Sequence, residues 1–352
     1  MNRMEKKINS KISQSFTDKI KSRIIGLKYW LESFVGKLTI ISLVGLIIIP
    51  FVLTDSLNLK YLFIYPMIFA IFAASWDLLA GFVGNVSFGH SAFLGVGGYL
   101  TAFFVVNLNI HWMIALLFGG LFSIITGLLI AIPALRLKGP YFALGTLMFG
   151  FIMFRLFFMG EIGLEEIGGV PFISEELNLT TVYFIILVIM VASLVFLFVL
   201  VKSNFGTRLK SIRDDHKGAK ASGINIAKYQ IIAFAISAFF AGISGGLFVF
   251  FNRYAGYYAF NVTYSFYPII FTAIGGIATI SGPALGTFVF LWAQEILIKL
   301  TSGLPFIEEA GLPFALVCLS IVLILMVRFV SNGMLKPVVD NLKELKDVLL
   351  AK

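Results

Sequence analysis

The stretch Gly242-Ile243-Ser244-Gly245-Gly246 fits the G-x-S-x-G pattern of a serine nucleophile. Such a serine needs a base within hydrogen-bond reach. Of His90, His111 and His216, only His90 falls near the interior of an apolar segment. The topology argued below puts His90 toward the inner end of its segment and Ser244 toward the outer end. The pattern is therefore expected to reflect packing glycines, not a protease. Cys318 is the single cysteine, so no disulfide framework exists. No Cys/His group has metal-ligand spacing, and no P-loop pattern occurs, so neither a metal centre nor an ATP site is expected in this chain.

Two glycine-rich turns and one charged loop are stronger candidates. The first turn is Gly81-Phe82-Val83-Gly84-Asn85-Val86-Ser87-Phe88-Gly89-His90-Ser91. Gly, Asn and Ser at this density break a helix in or at the edge of a membrane. Non-helical backbone is tolerated there only where protein or water satisfies it. The freed N–H groups of the following helix could face a cavity and suit an anionic group. A tight connection whose glycines serve packing is the equal alternative. The second turn is Gly275-Gly276-Ile277-Ala278-Thr279-Ile280-Ser281-Gly282-Pro283-Ala284-Leu285-Gly286. Pro283 suits the first turn of a helix, and close helix packing is the favoured reading there. The loop 202–229 carries Arg208, Arg213, Asp214, Asp215, His216, Lys217 and Lys220 with small or apolar Ala219, Ala221, Gly223 and Ile224 among them. A solvated connection would explain the charge. The small residues favour a short helix that presses into a groove on a partner.

These residues need a frame to position them. The chain is 59% hydrophobic and 13% charged, too little charge to cover a soluble protein of 352 residues. Apolar runs of the roughly 20 residues needed to cross a membrane follow one another. They predict an all-α polytopic membrane protein with ten spans near 38–53, 61–80, 90–106, 113–133, 141–159, 181–201, 230–251, 264–280, 283–300 and 312–330. The third and eighth are short and glycine-rich. Residues 1–37 are basic, with Phe16, Ile20, Ile24, Leu27, Leu31 and Phe34 at helical spacing. They predict an amphipathic helix on the inner membrane face, in contact with lipid, and not a cleaved signal peptide. A second amphipathic helix is expected in the tail 331–352.

Lys and Arg concentrate in 1–37, 134–140, 202–229 and 331–352, whereas 160–180 is acidic and has no basic residue. By the positive-inside rule both termini are cytoplasmic and 160–180 is an outer loop. The net charge of +9 then belongs to inner loops, and no nucleic-acid partner is expected. Five spans on either side of the outer loop suit an inverted repeat, a suspicion from topology alone. Gly119, Ser123 and Gly127, and likewise Ala238, Gly242 and Gly246, lie four apart and predict close-packing faces. Asp77, Arg155 and Glu295 fall within spans, with Lys299 at a span end. Their positions favour snorkelling or structural pairs over ion coupling, so the energy for any transport is expected from outside the chain.

Together the two turns and the loop resemble the branched-chain amino acid ABC transporter permeases of the LivM type. The family pattern L-L-G-Y-x-G-Q-x-S-x-G-H-x-x-F-x-G-x-G-x-Y is similar to Leu78 through Tyr99 here. The loop pattern R-x-x-x-I-R-D/E-x-E-x-A-A-x-x-x-G-I is matched by Arg208, Ile212, Arg213, Asp214, Ala219, Gly223 and Ile224. The segment G-G-x-G/A-T-x-x-G-P-x-x-G is matched by Gly275 to Gly286. Asn85 stands for the usual Gln, His216 for Glu, and Gly218 for the first Ala of the pair. The resemblance covers roughly 60–330. It implies a permease domain over 38–330 with the vitamin-B12-importer-like (type II) ABC permease fold and no cofactor. It also implies a second related permease subunit, two cytoplasmic ABC ATPase subunits and an external substrate-binding protein. Coupling to the ATPases would fall on Arg208, Ile212, Arg213, Asp214, Asp215, Ala219, Gly223 and Ile224. The translocation pathway would be lined by Gly81, Gly84, Asn85, Ser87, Gly89, His90, Gly275, Gly276, Ser281, Gly282, Pro283 and Gly286. The implied function is ATP-driven import of branched-chain or related hydrophobic amino acids. Import of urea or short amides, and an ion-coupled carrier working alone, are the alternatives.

Overall fold

A computed structural model describes residues 60–302, except 138, 160–165, 169 and 171–178, together with 45–48, 50, 317 and 321. The chain divides into two compact units, one of residues 55–337 and one of 1–54 with 338–352. In the second unit the described residues 45–48 and 50 are helical. The basic N-terminal segment, the tail, most of the first and tenth expected spans and most of the acidic loop lie outside the described residues.

Within 55–337 the elements follow in order α1 (Tyr65–Asp77), α2 (His90–Val106), α3 (Trp112–Ala134), α4 (Pro140–Phe158), β1 (Ile167–Gly168), α5 (Leu179–Lys202), α6 (Asn204–Asp214), α7 (His216–Ala221), α8 (Ile226–Asn252), β2 (Tyr254–Ala255), α9 (Thr263–Gly275) and α10 (Ser281–Ser302). β1 and β2 form a two-residue antiparallel ribbon, pairing Ile167 with Ala255. A short 3₁₀ turn, Tyr257–Phe260, follows β2. Wider π turns, Lys60–Ile64 and Leu78–Val83, extend α1 at both ends. Among the described residues, six helices are long and apolar enough to cross a membrane: Leu62–Val83, α3, α4, α5, α8 and Ser281–Leu300 of α10. The protein is a multi-pass, mostly helical membrane protein.

Local chemistry sets the boundaries. The Ser203, Asp215 and Asn225 side chains cap α6, α7 and α8 by accepting from Phe205, Lys217 and Lys228 N–H. Pro140 opens α4 after Gly139, whose φ is 56°. The expected span 264–280 is instead the 13-residue α9, about 20 Å long, which ends where Gly276 turns to φ 116°. The N–H groups of residues 278–280 bond a side chain of α1 rather than a helical ladder.

α1 and α8 form the centre. Of the most apolar window of Leu62–Val83, which contains α1, 89% is buried inside the chain, and of that of α8 72%, against 17% for α4. The small-residue faces interlock within the chain. A Cβ on Gly242 of α8 would meet Ser123 Oγ at 2.3 Å, and one on Gly127 of α3 would meet Ala238 at 2.7 Å. Gly97 of α2 approaches Gly242 just as closely. Backbones this near one another gain dispersion where lipid offers no hydrophobic drive.

Candidate functional site

Between Gly84 and Gly89 the backbone is non-helical and climbs back into the bundle. Phe88 N–H donates to Thr146 Oγ1 (3.0 Å), more than a turn inside α4. A Cβ on Gly89 would lie 2.1 Å from the Thr146 carbonyl oxygen, so only glycine passes there. The N-terminus of α2 therefore lies in the interior, where it meets the N-terminus of α9. Ser91 N–H donates to Ser265 Oγ (2.9 Å), and the two hydroxyls bond one another at 2.9 Å. The freed N–H of Ser91 is thus satisfied by protein rather than left open to a cavity.

His90 is fully buried. Its Nε2 lies 3.2 Å from Ser75 Oγ and 3.3 Å from Ser237 Oγ. Those hydroxyls donate to the Phe72 and Ser75 carbonyls, which leaves both oxygens as acceptors. His90 accordingly carries its proton on Nε2, and its Nδ1 has no hydrogen-bond partner among the described residues. Ser244, two turns further along α8, donates to the Ile68 carbonyl at 2.8 Å. That bond occupies its proton with a backbone acceptor rather than a base, and the nucleophile pattern is a packing motif.

The first turn divides between interior and surface. Gly81, Ser87, Gly89 and His90 are buried, and the Ser87 carbonyl accepts from Trp76 Nε1 at 2.7 Å. Gly84 and Asn85 face an open cleft of about 1420 Å³. Residues 135–137, 139, 140 and 142–144, with Arg213, His216, Lys217, Lys220, residues 223–227 and Gln230, form its other walls. Arg136, Arg213, His216, Lys217 and Lys220 line it, and no carboxylate does among the described residues. In the second turn Gly275, Gly276, Gly282, Pro283 and Gly286 are buried and Ser281 is exposed. A Cβ on Gly275 would lie 1.7 Å from the Gly282 carbonyl oxygen, and one on Gly286 would lie 1.9 Å from that of Phe271. These glycines let α9 and α10 touch backbone to backbone.

The charged loop is two helices, α6, fastened to the π-helical end of α1, and α7, packed against α6 and α8. Leu209 and Ile212 are fully buried and Ala219 nearly so. Lys210 Nζ lies 5.4 Å from the Phe82 ring centre. Arg213 Nη1 donates to the Gly81 carbonyl at 2.7 Å, and Arg213 also pairs with Asp214 at 2.9 Å. Arg208 donates to the Tyr229 hydroxyl. Of the loop residues singled out in the sequence, Ile212 and Ala219 point into the chain. Arg208, Arg213, Asp214, Asp215 and Gly223 are exposed, and Ile224 is half-buried.

One residue joins the two turns. Asp77 is completely buried. Its Oδ1 accepts from Ala278 N–H (2.8 Å), and its Oδ2 accepts from Thr279 N–H (3.1 Å) and Ile280 N–H (3.2 Å). The sequence sets Asp77 among snorkelling or paired charges. Its partners lie some 200 residues away, and no local spacing signals them. Glu295 pairs with Lys299, one turn further along α10, at 3.5 Å. Arg155 is exposed on α4.

Comparison with known proteins bears on what this arrangement belongs to. The permease LivM of the high-affinity branched-chain amino acid transport system of Salmonella typhimurium is 23% identical, over 66% of this chain and 61% of its own length. A probable LivM of Methanocaldococcus jannaschii is 26% identical, over 64% and 69%. A nucleoside ABC transporter permease, NupC, of Lactococcus lactis is 26% identical, over 47% and 58%. This chain thus spans about three fifths of the length of the Salmonella relative. No solved structure matches. The family described as the permease component of the branched-chain amino acid transport system matches residues 58–327, which take in both glycine turns, Asp77 and the helices α6 and α7. The chain belongs to that family of transport permeases.

Proposed function

We propose that this chain is the membrane permease of an ATP-driven importer for branched-chain or related hydrophobic amino acids. It would be paired with a second related permease and served by two ATPase subunits and an external binding protein. The observation that carries the reading is the fastening of α6 to the end of α1, with α7 packed on it and the charged faces of both left exposed. A helix α6 anchored by Leu209 and Ile212, with α7 packed against it, would move as a body with the end of α1. An ATPase docked on Arg208, Asp214, Asp215 and Lys217 could therefore drive the membrane domain without a flexible joint between them. The positive-inside rule puts these helices and both termini in the cytoplasm of a plasma or inner membrane.

The engagement of the two carboxylates argues against the ion-coupled alternative. Asp77 has three backbone donors on it, and Glu295 is paired with Lys299. Both carboxylates are thereby engaged within the chain, as structural contacts would be. The short helices α2 and α9, third and eighth of the expected spans, meet N-terminus to N-terminus in the interior. Broken helices at corresponding places in two halves accord with an inverted repeat in a vitamin-B12-importer-like fold. The pathway would then run past Gly84 and Asn85. The nucleoside permease among the relatives favours one alternative cargo, and urea or short amides remain rivals in class.

The test is recovery of partners from the native membrane in mild detergent. Wild type should bring down two P-loop ATPases and a second permease. Asp214→Lys with Lys217→Glu should insert normally yet lose the ATPases and the uptake of leucine, isoleucine and valine. Chain recovered alone, transporting in liposomes on an ion gradient, would replace this reading with a secondary carrier.

A further inference from the structure

The turn between α9 and α10 is strained. Ala278 and Ile280 have φ of 61° and 55°, and Gly276 has φ 116°. Left-handed backbone is costly for a residue with a Cβ and more so for β-branched isoleucine. Such strain persists only where the surroundings over-determine it. Here the surroundings are one carboxylate, on which three successive N–H groups converge as they do on an anion in a backbone nest. A buried carboxylate is itself expensive unless hydrogen-bonded. Asp77 and the turn therefore hold each other in states that neither would keep alone.

The carboxylate is also in touch with the charged helices. A Cβ on Gly81 would lie 2.2 Å from Asp77 Oδ1 and 2.6 Å from Ala278 N, so the backbone of Gly81 rests against both. The carbonyl of the same glycine accepts from Arg213 Nη1. From α6 to the turn the path is Arg213, Gly81, then Asp77 with Ala278, and it has no gap in it.

We propose that Asp77 is a positioning residue of the transport cycle. Through Arg213 and Gly81 it receives the movement of α6, and it sets the conformation of the 276–281 turn and thereby the angle between α9 and α10. This rests on the ATP-driven reading for its role in transport, but the linkage itself does not need that reading. A rigid path alone does not establish coupling, so the test must perturb one end and read the other.

The test compares hydrogen exchange at residues 278–280 of the full chain in lipid nanodiscs, wild type against Arg213→Gln. Arg213 bonds none of these amides, yet their exchange should rise roughly tenfold, the effect of losing one charge-assisted hydrogen bond on the path. Amides of α3 should be unchanged. Unchanged exchange at 278–280 overturns the linkage. The second arm uses the complete complex and reads amino acid taken up per ATP hydrolysed. Arg213→Gln and Asp77→Asn should each lower this ratio, the double variant should be no worse than the worse single, and Asp77→Glu should recover part of it. Losses that multiply in the double variant overturn the proposal. Where Asp77→Asn does not accumulate, the Arg213→Gln exchange result decides, because that side chain is partly exposed and its loss opens no cavity. A chain found without ATPase partners would remove the importer reading and leave the exchange result standing.

Discussion

A methyl group at Gly89 would strike the Thr146 carbonyl, which is backbone and cannot step aside, whereas one at Gly84 would lie 3.1 Å from the flexible Arg213 Cγ. Gly89→Ala should therefore destabilise by about 1–3 kcal/mol through overpacking. Gly84→Ala, at φ 87°, should cost about 1 kcal/mol through backbone strain. Thermal unfolding in detergent, followed by size exclusion, ranks the two, and equal midpoints would contradict the geometry. The His90 cluster makes a related prediction. Ser75→Ala with Ser237→Ala strands the Nε2 proton in a dry interior and should cost about 1–3 kcal/mol, readable in the same assay. Glycine content made both turns legible in the sequence, because clustered glycines in an apolar run mark broken helix or close packing. Asp77 was legible as an anomaly, a carboxylate inside an apolar run, but not as a keystone. Hydrogen bonds to backbone N–H leave no side-chain signature at the partner positions.

Interlocking of α3 with α8 depends on residues with little or no side chain. Gly242→Leu would drive a branched side chain into Ser123 and Gly120, and folded protein should fail to accumulate. Leu129, on the facing helix α3 but exposed, should accept alanine with a change within about 0.5 kcal/mol. Yield of monodisperse protein from matched expression separates the two outcomes. Spacing by fours announced these faces in the sequence, since it repeats the helical period. The same spacing could not say that they meet each other rather than a partner. The charged segment announced a docking helix, but two helices are present. Asp215 is the cap that divides them, and it stood in a run of charge where its capping role was hidden.

Apolar run length gave the order of the crossing segments over most of the described chain, but it did not give their depth. α2 and α9 are short because both begin in the interior, and this depends on contacts between Ser91 and Ser265, 174 residues apart. Sidedness can be tested on the intact cell: Lys217→Cys should react with an impermeant thiol reagent only from the inner side, and Tyr257→Cys only from the outer. Labelling from the reverse sides would invert the topology. The cleft bordered by Gly84 and Asn85 extends about one helical turn along α4, from Pro140 to Leu144. Filled with water and salt, such a cleft would carry the potential of the bulk solution inward, and the membrane voltage would fall over the layer that remains. A zwitterionic amino acid would cross that layer without net electrical work. A cargo with one net charge would gain or lose about 2.3 kcal/mol per 100 mV over the full membrane potential. The dependence of uptake on voltage would then report the net charge of the molecule carried.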